Sequence, residues 1–139
     1  AKSSVDTSAG ALRGRPYGGL ALLWRKSKLS NVSVIECSSD RLLAIRVTTV
    51  SCSFIVFNIY MPTDEVDNLP DFTDCLSRVS AIVEENNISM VYVLGDFNAH
   101  PSASFGKELQ SFCDEQQFIC ADIKMLGIDS GTYTFISEI

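Results

Sequence analysis

Apolar residues come in short runs over the first half of the chain and at helical spacing further on. Residues 32–37, 42–49 and 52–61 read as strands, separated by turn-forming Ser38-Ser39-Asp40 and by a turn beginning at Ser51. Leu43, Ile45 and Val47 alternate with Ala44, Arg46 and Thr48, which predicts one wetter face for that strand. Residues 19–25 read as an earlier strand opened by Gly18-Gly19, and an antiparallel meander is the simplest arrangement of these elements. From residue 69 the period changes. Leu69, Phe72, Leu76, Val79, Ile82 and Val83 recur at helical spacing, Pro70 suits a first turn, and Asn86-Asn87 closes a helix predicted over 69–86. A second helix is predicted over 105–116, with Leu109, Phe112 and Cys113 inward, and short strands at 120–123 and 133–136.

The run over 88–94 is too short for a helix, and Val91, Tyr92 and Val93 favour a strand. Its apolar residues occupy both parities, which predicts cover on both faces. The helix over 69–86 joins the strand ending at Tyr60 to this one, so the pair can run parallel with both ends at one sheet edge. Open α/β folds bind ligands at such carboxyl ends. There the sequence sets Gly95-Asp96-Phe97-Asn98 after one strand and Tyr60-Met61-Pro62-Thr63 after the other. Gly-Asp-x-Asn is also a serviceable turn, because Gly, Asp and Asn all tolerate turn geometry. A phenol, a carboxylate and an amide on neighbouring strand ends would equally suit a site that handles a phosphoester.

Charge changes the picture more than composition does. The chain has 139 residues, enough for one core, and a net charge of −6 that by itself argues against a nucleic-acid partner. The total conceals a division. Residues 1–46 carry eight basic side chains against three acidic ones, a local charge of +5, and the remainder carries three against fourteen, or −11. A basic amino-terminal third can meet a phosphate backbone; equally, Arg25, Lys26 and Lys28 can simply decorate a strand end. Cys37, Cys52, Cys75, Cys113 and Cys120 show no C-x-x-C spacing, and with the lone His100 they make no zinc set. They read as buried free thiols, which suits a reducing compartment. No apolar stretch reaches transmembrane length, so no membrane partner is expected.

Four segments carry a family resemblance: Gly14-Arg15-Pro16-Tyr17-Gly18-Gly19-Leu20-Ala21, Asn58-Ile59-Tyr60-Met61-Pro62, Leu94-Gly95-Asp96-Phe97-Asn98-Ala99-His100 and Asp129-Ser130-Gly131-Thr132-Tyr133-Thr134-Phe135. In this order they resemble the endonuclease/exonuclease/phosphatase superfamily, the DNase I-like fold, and within it the endonuclease domain of non-LTR retrotransposons. The resemblance implies an α/β (α+β) fragment of a four-layer sandwich, two β-sheets flanked by helices. Residues 1–15, small, polar and glycine-containing, read as a flexible approach, and the resemblance implies residues 16–139 as the central part of one domain, truncated at both ends. An upstream metal-binding Glu, and a downstream Asp and late Asp-His pair, are then expected outside the sequence.

The chemistry is implied in the same way. Anionic phosphorus repels nucleophiles, so a divalent cation, Mg²⁺ or Mn²⁺, is expected to offset charge. Asp96 would position or deprotonate water, Asn98 would donate its amide to a phosphate oxygen, and Tyr60 would donate its phenol to the phosphoryl group or leaving oxygen. Asp96 and Asn98 are also the candidate metal ligands. Thr132 and Thr134 are weaker substrate-contact candidates. His100 is expected on a loop rim, because the family's catalytic histidine belongs to the late Asp-His pair. The implied activity is Mg²⁺-dependent DNA nicking in the cell, in the nucleus when acting on DNA, with a reverse transcriptase downstream in the same polyprotein. A same-fold hydrolase of phosphoinositides or other small phosphoesters, and a decayed inactive copy, are the alternatives.

Overall fold

Three β-rich stretches in succession, each closed by turn-forming residues, fold back on one another. In the computed structural model, which describes residues 19–128, β1 (Val32–Ile35), β2 (Leu42–Thr48) and β3 (Ser53–Tyr60) pair antiparallel in chain order. A 3-10 turn over Val66–Asn68 and the helix α1 (Leu69–Asn86) lead to β4 (Val91–Asp96), which joins β3 in parallel. The sheet order is β1-β2-β3-β4. A second compact unit begins at Ala99 and holds α2 (Ser104–Gln116) and α3 (Ala121–Leu126). The described residues are thus mixed α/β, with one four-stranded sheet and three helices. No helix among them is long and apolar enough to cross a membrane.

Helix α1 occupies the span its periodicity predicts. Pro70 sits in the first turn, where its missing N–H breaks no helical bond, and Asn87 ends the helix in the left-handed conformation at φ 48°. Phe72, Cys75, Leu76, Val79 and Ile82 form its buried stripe. Arg78 pairs with Asp74 at 2.6 Å and donates to the Ser38 carbonyl at 3.3 Å, which ties the helix to the β1–β2 turn. Ile55, Phe57 and Ile59 of β3, all at most 1% exposed, make the buried face of the central strand. Burying such side chains stabilises the fold by roughly 1.5–3 kcal/mol each.

The two strands predicted to differ in cover exchange roles. β2 is buried on both faces: Ala44 is 0% exposed on the side expected to be wet, beside Leu43, Ile45 and Val47 on the other. A central position between β1 and β3 explains this, and Arg46 is half-buried, as its long aliphatic stem allows. β4, expected to be covered twice, lies at the sheet edge and leaves Tyr92 50% and Leu94 55% exposed. It starts at Val91 rather than residue 88. The strand predicted over 19–25 reduces to one bridge residue, Leu20, because Leu23 and the charged residues after it face solvent. Of residues 120–123, 121–123 are helical, and Cys120 is the extended N-cap before them. Ala121, Lys124, Met125 and Leu126 favour helix, and Asp122 lies in the first turn of α3. The strand predicted over 133–136 and the segment 1–15 lie outside the described residues.

The second unit is held by its own contacts. Phe112 and Phe118 meet edge to face at 5.8 Å between ring centres. Cys113 and Cys120 bring their sulfurs to 3.6 Å. Burial, and then the neighbouring Cys120 thiol, push the Cys113 thiol up to about 12.

Parallel pairing of β3 with β4 depends on Gly95. It has φ +133°, and a Cβ there would overlap the Ile59 carbonyl oxygen and approach the Ile59 nitrogen to 2.7 Å. Both atoms are backbone and cannot move aside without parting the strands. Gly95→Ala should therefore destabilise the chain by roughly 2–3 kcal/mol, measured by urea unfolding. A cost below about 0.5 kcal/mol would show that the strands do not approach this closely.

Candidate active site at the β3–β4 edge

Tyr60 and Asp96 are the last residues of their strands and direct partners in the parallel register. Adjacent strands lie about 4.8 Å apart, so the two side chains leave the same edge of the sheet as neighbours. The ladder continues one step further: Met61 N–H donates to the Asp96 carbonyl at 2.9 Å. Tyr60 is half-buried and Asp96 exposed, so the phenol is backed by protein while the carboxylate meets solvent.

Asn98 closes this edge. Its backbone N–H donates to Asp96 Oδ1 at 3.1 Å, which fixes one carboxylate oxygen and leaves Oδ2 for another partner. Its side-chain Nδ2 donates to the Met61 carbonyl at 2.8 Å, across 37 residues of sequence. The residue holds φ 46°, in the left-handed region that asparagine tolerates better than most residues. One amide hydrogen is used on Met61, and the second is available to a ligand. Asn98 thus joins the β3 and β4 ends through both its backbone and its side chain. Tyr60, Asp96 and Asn98 thus lie at one edge of the sheet.

One member of the site escaped the sequence. Arg41, just before β2, accepts a backbone hydrogen bond from Tyr60: Tyr60 N–H donates to the Arg41 carbonyl at 3.0 Å. Its guanidinium Nη1 donates to the Tyr60 carbonyl at 3.2 Å, and its Cζ lies 6.0 Å from the centre of the Tyr60 ring. A fixed cation therefore stands beside the phenol. The signal was present in principle. Once β2 and β3 pair with Leu42 opposite Ile59, the next pair outward is Arg41 with Tyr60.

No protein-family model, curated protein or solved structure matches the chain. The functional reading rests on the residues themselves. Among the described residues no group of three or more His, Cys, Asp or Glu side chains forms a metal cage. Asp96 is a single hard oxygen donor, and Mg²⁺ is commonly held by one or two carboxylates together with substrate phosphate oxygens and water. Asp96 fits that role, with the Asn98 amide beside it. His100 is exposed, and its Nδ1 accepts from Ser102 N–H at 3.3 Å with the Ser102 hydroxyl at 2.9 Å. Thr132 and Thr134 lie outside the described residues.

The two duties of Asn98 can be separated. Asn98→Gly keeps the left-handed backbone and loses the amide, at a cost of about 1 kcal/mol for one hydrogen bond. Asn98→Ala loses the amide and strains the backbone, which adds roughly another 1 kcal/mol. Urea unfolding should rank Ala below Gly; the reverse order would contradict the backbone constraint.

Proposed function

We propose that the chain carries part of the catalytic edge of a Mg²⁺- or Mn²⁺-dependent DNA phosphodiesterase, which nicks one strand in the manner of a retroelement endonuclease. The observation that carries this reading is the Tyr60–Asp96 register pair with Asn98 bonded to both strand ends. It supports the motif resemblance because a helix crossover, and not sequence proximity, brings the three residues to one edge.

Each residue then has a task its geometry allows. Asp96, exposed and oriented by the Asn98 amide, accepts a proton from the attacking water or orients it. Asn98 positions Asp96 and offers its second amide hydrogen to a phosphate oxygen. Tyr60 donates its phenol to the phosphoryl group, and Arg41 keeps the strand end and the ring in place while adding positive charge near an anionic substrate. The cation, held from this chain by Asp96 with Asn98 alongside, would offset charge on the phosphodiester. The finer architecture we propose is the four-layer sandwich. The exposed Tyr92 and Leu94, on the same parity of β4 as Asp96, are the surface a further layer would cover. The metal-binding Glu and late Asp-His pair of the family match no motif in residues 1–139, so we expect turnover to need a chain that also carries them, with a reverse transcriptase module following.

Plasmid nicking by such a chain tests the proposal. With Mg²⁺ present, Asp96→Asn should slow nicking by about a hundredfold or more, the scale of a lost acid/base group. Tyr60→Phe should slow it less, and His100→Ala by only a few-fold. Circular dichroism must show all variants folded. Equal damage from His100→Ala and Asp96→Asn would contradict the assignment, and so would nicking indifferent to Asp96→Asn.

A further inference from the structure

The segment between Ala21 and Leu29 has no regular structure, yet it is anchored and strongly patterned. At one end the Asn58 side chain donates to the Ala21 carbonyl at 3.0 Å. Asn58 lies two residues before Tyr60 on β3, on the same parity of the strand, and pairs with Leu94 of β4 as Tyr60 pairs with Asp96. At the other end a tight turn closes: Lys28 N–H and Leu29 N–H both donate to the Arg25 carbonyl, at 2.9 and 3.0 Å. The stretch from the anchor to the turn holds Leu23, 93% exposed, and Trp24, 36% exposed. Arg25, Lys26 and Lys28 are all exposed and, among the described residues, none is in an ion pair.

An exposed indole beside three exposed cations is a costly surface to leave in water unless something binds it. The combination of an aromatic plane with flanking positive charge is what single-stranded nucleic acid requires: bases stack on the ring and phosphates meet the cations. Position strengthens the argument. Asn58 and Tyr60 are about 7 Å apart along β3, and Trp24 lies three residues, at most about 11 Å, from the anchored Ala21. The turn is therefore within a few nucleotides of the Tyr60–Asp96 edge, and it is tethered to the same strand.

We infer that the Trp24–Lys28 turn is a nucleic-acid contact that stacks Trp24 on an unpaired base and holds the adjoining phosphates with Arg25, Lys26 and Lys28. This deepens the proposed DNA-nicking reading, on which it rests, by assigning a strand-binding surface next to the edge. A turn that grips an unpaired base would favour substrate whose duplex is opened or frayed near the scission point. An interfacial membrane anchor is the other chemistry a Leu-Trp pair with three cations can serve. The turn's tether to the phosphoester edge favours nucleic acid.

Trp24 is the single tryptophan of the chain, so its own emission reports on binding. The test uses residues 1–139 carrying Asp96→Asn, in EDTA, so that binding is read without turnover. A twelve-nucleotide oligothymidylate, its duplex with oligoadenylate, and phosphatidylserine/phosphatidylcholine vesicles are titrated separately, with excitation at 295 nm. The single strand should quench Trp24 emission. With a fluorescein-labelled oligothymidylate followed by anisotropy, Trp24→Ala should weaken binding at least about fivefold, the lower end expected for one lost stacking contact. The Arg25/Lys26/Lys28→Ala variant should flatten the dependence of log affinity on log salt by about two, as three phosphate contacts on a single strand require.

Affinity unchanged by both variants would overturn the inference. So would duplex binding that ignores Trp24→Ala, or a blue shift with vesicles and no response to the oligothymidylate. The proposed function is judged separately. Asp96-dependent nicking with an unaltered KM in the turn variants would leave that function standing and remove this surface from it.

Discussion

The close parallel contact between β3 and β4 is the constraint on which the rest depends. It brings Ile59 and Gly95 together so tightly that no side chain fits at residue 95, and it sets Tyr60 opposite Asp96 one step further on. A parallel pair cannot be made by a short turn, so the chain must spend a crossover between the strands, and α1 supplies it. The helix has no catalytic side chain of its own to contribute. Its apolar stripe is buried, and its length carries the chain back to the far end of β3, where Val91 pairs with Ile55 and β4 runs up to the same edge as Tyr60. The grouping of Tyr60 with Asp96 at the edge is thus a consequence of topology.

Stiffness and exposure divide along the same line. Main-chain bonds from Tyr60 to Arg41 and from Met61 to Asp96, and the Asn98 amide on Met61, hold the backbone of the edge in place. The proposed reactive group, Asp96, remains exposed. This arrangement suits the proposed polyanionic substrate, because the ligand must reach the carboxylate while the carboxylate stays oriented. The cationic turn tethered through Asn58 is the surface we propose for a strand of nucleic acid beside that edge.

The sequence made the elements legible where one physical signal dominated. Helical periodicity with a Pro at the start and Asn-Asn at the end located α1 to the residue. The crossover length then made parallel pairing of the Tyr60 and Asp96 strands readable from the chain itself. Burial was less legible, because it depends on neighbours in the sheet. Ala44 is small enough to read as surface, yet its place in a central strand buries it, while the wholly apolar Tyr92-Val93-Leu94 sits at an edge with one side open. The strand expected over 120–123 failed for a similar reason: four residues carry too little pattern to separate a strand from a turn of helix. Arg41 was invisible as a site residue because it becomes one only through register, seventeen residues before the Asn58-Ile59-Tyr60 motif.

Paramagnetic broadening tests the central claim most directly, since it locates a cation and its ligands without needing turnover. In a ¹⁵N-labelled sample of the chain with a short oligonucleotide phosphorothioate, Mn²⁺ is added stepwise and the amide signals are followed. The account predicts that Met61, Asp96, Phe97 and Asn98 broaden first, and that Asp96→Ala abolishes the selectivity. Broadening centred instead on Asp64, Glu65 and Asp67, the acidic residues between β3 and α1, with the Asp96 region unaffected, would contradict it.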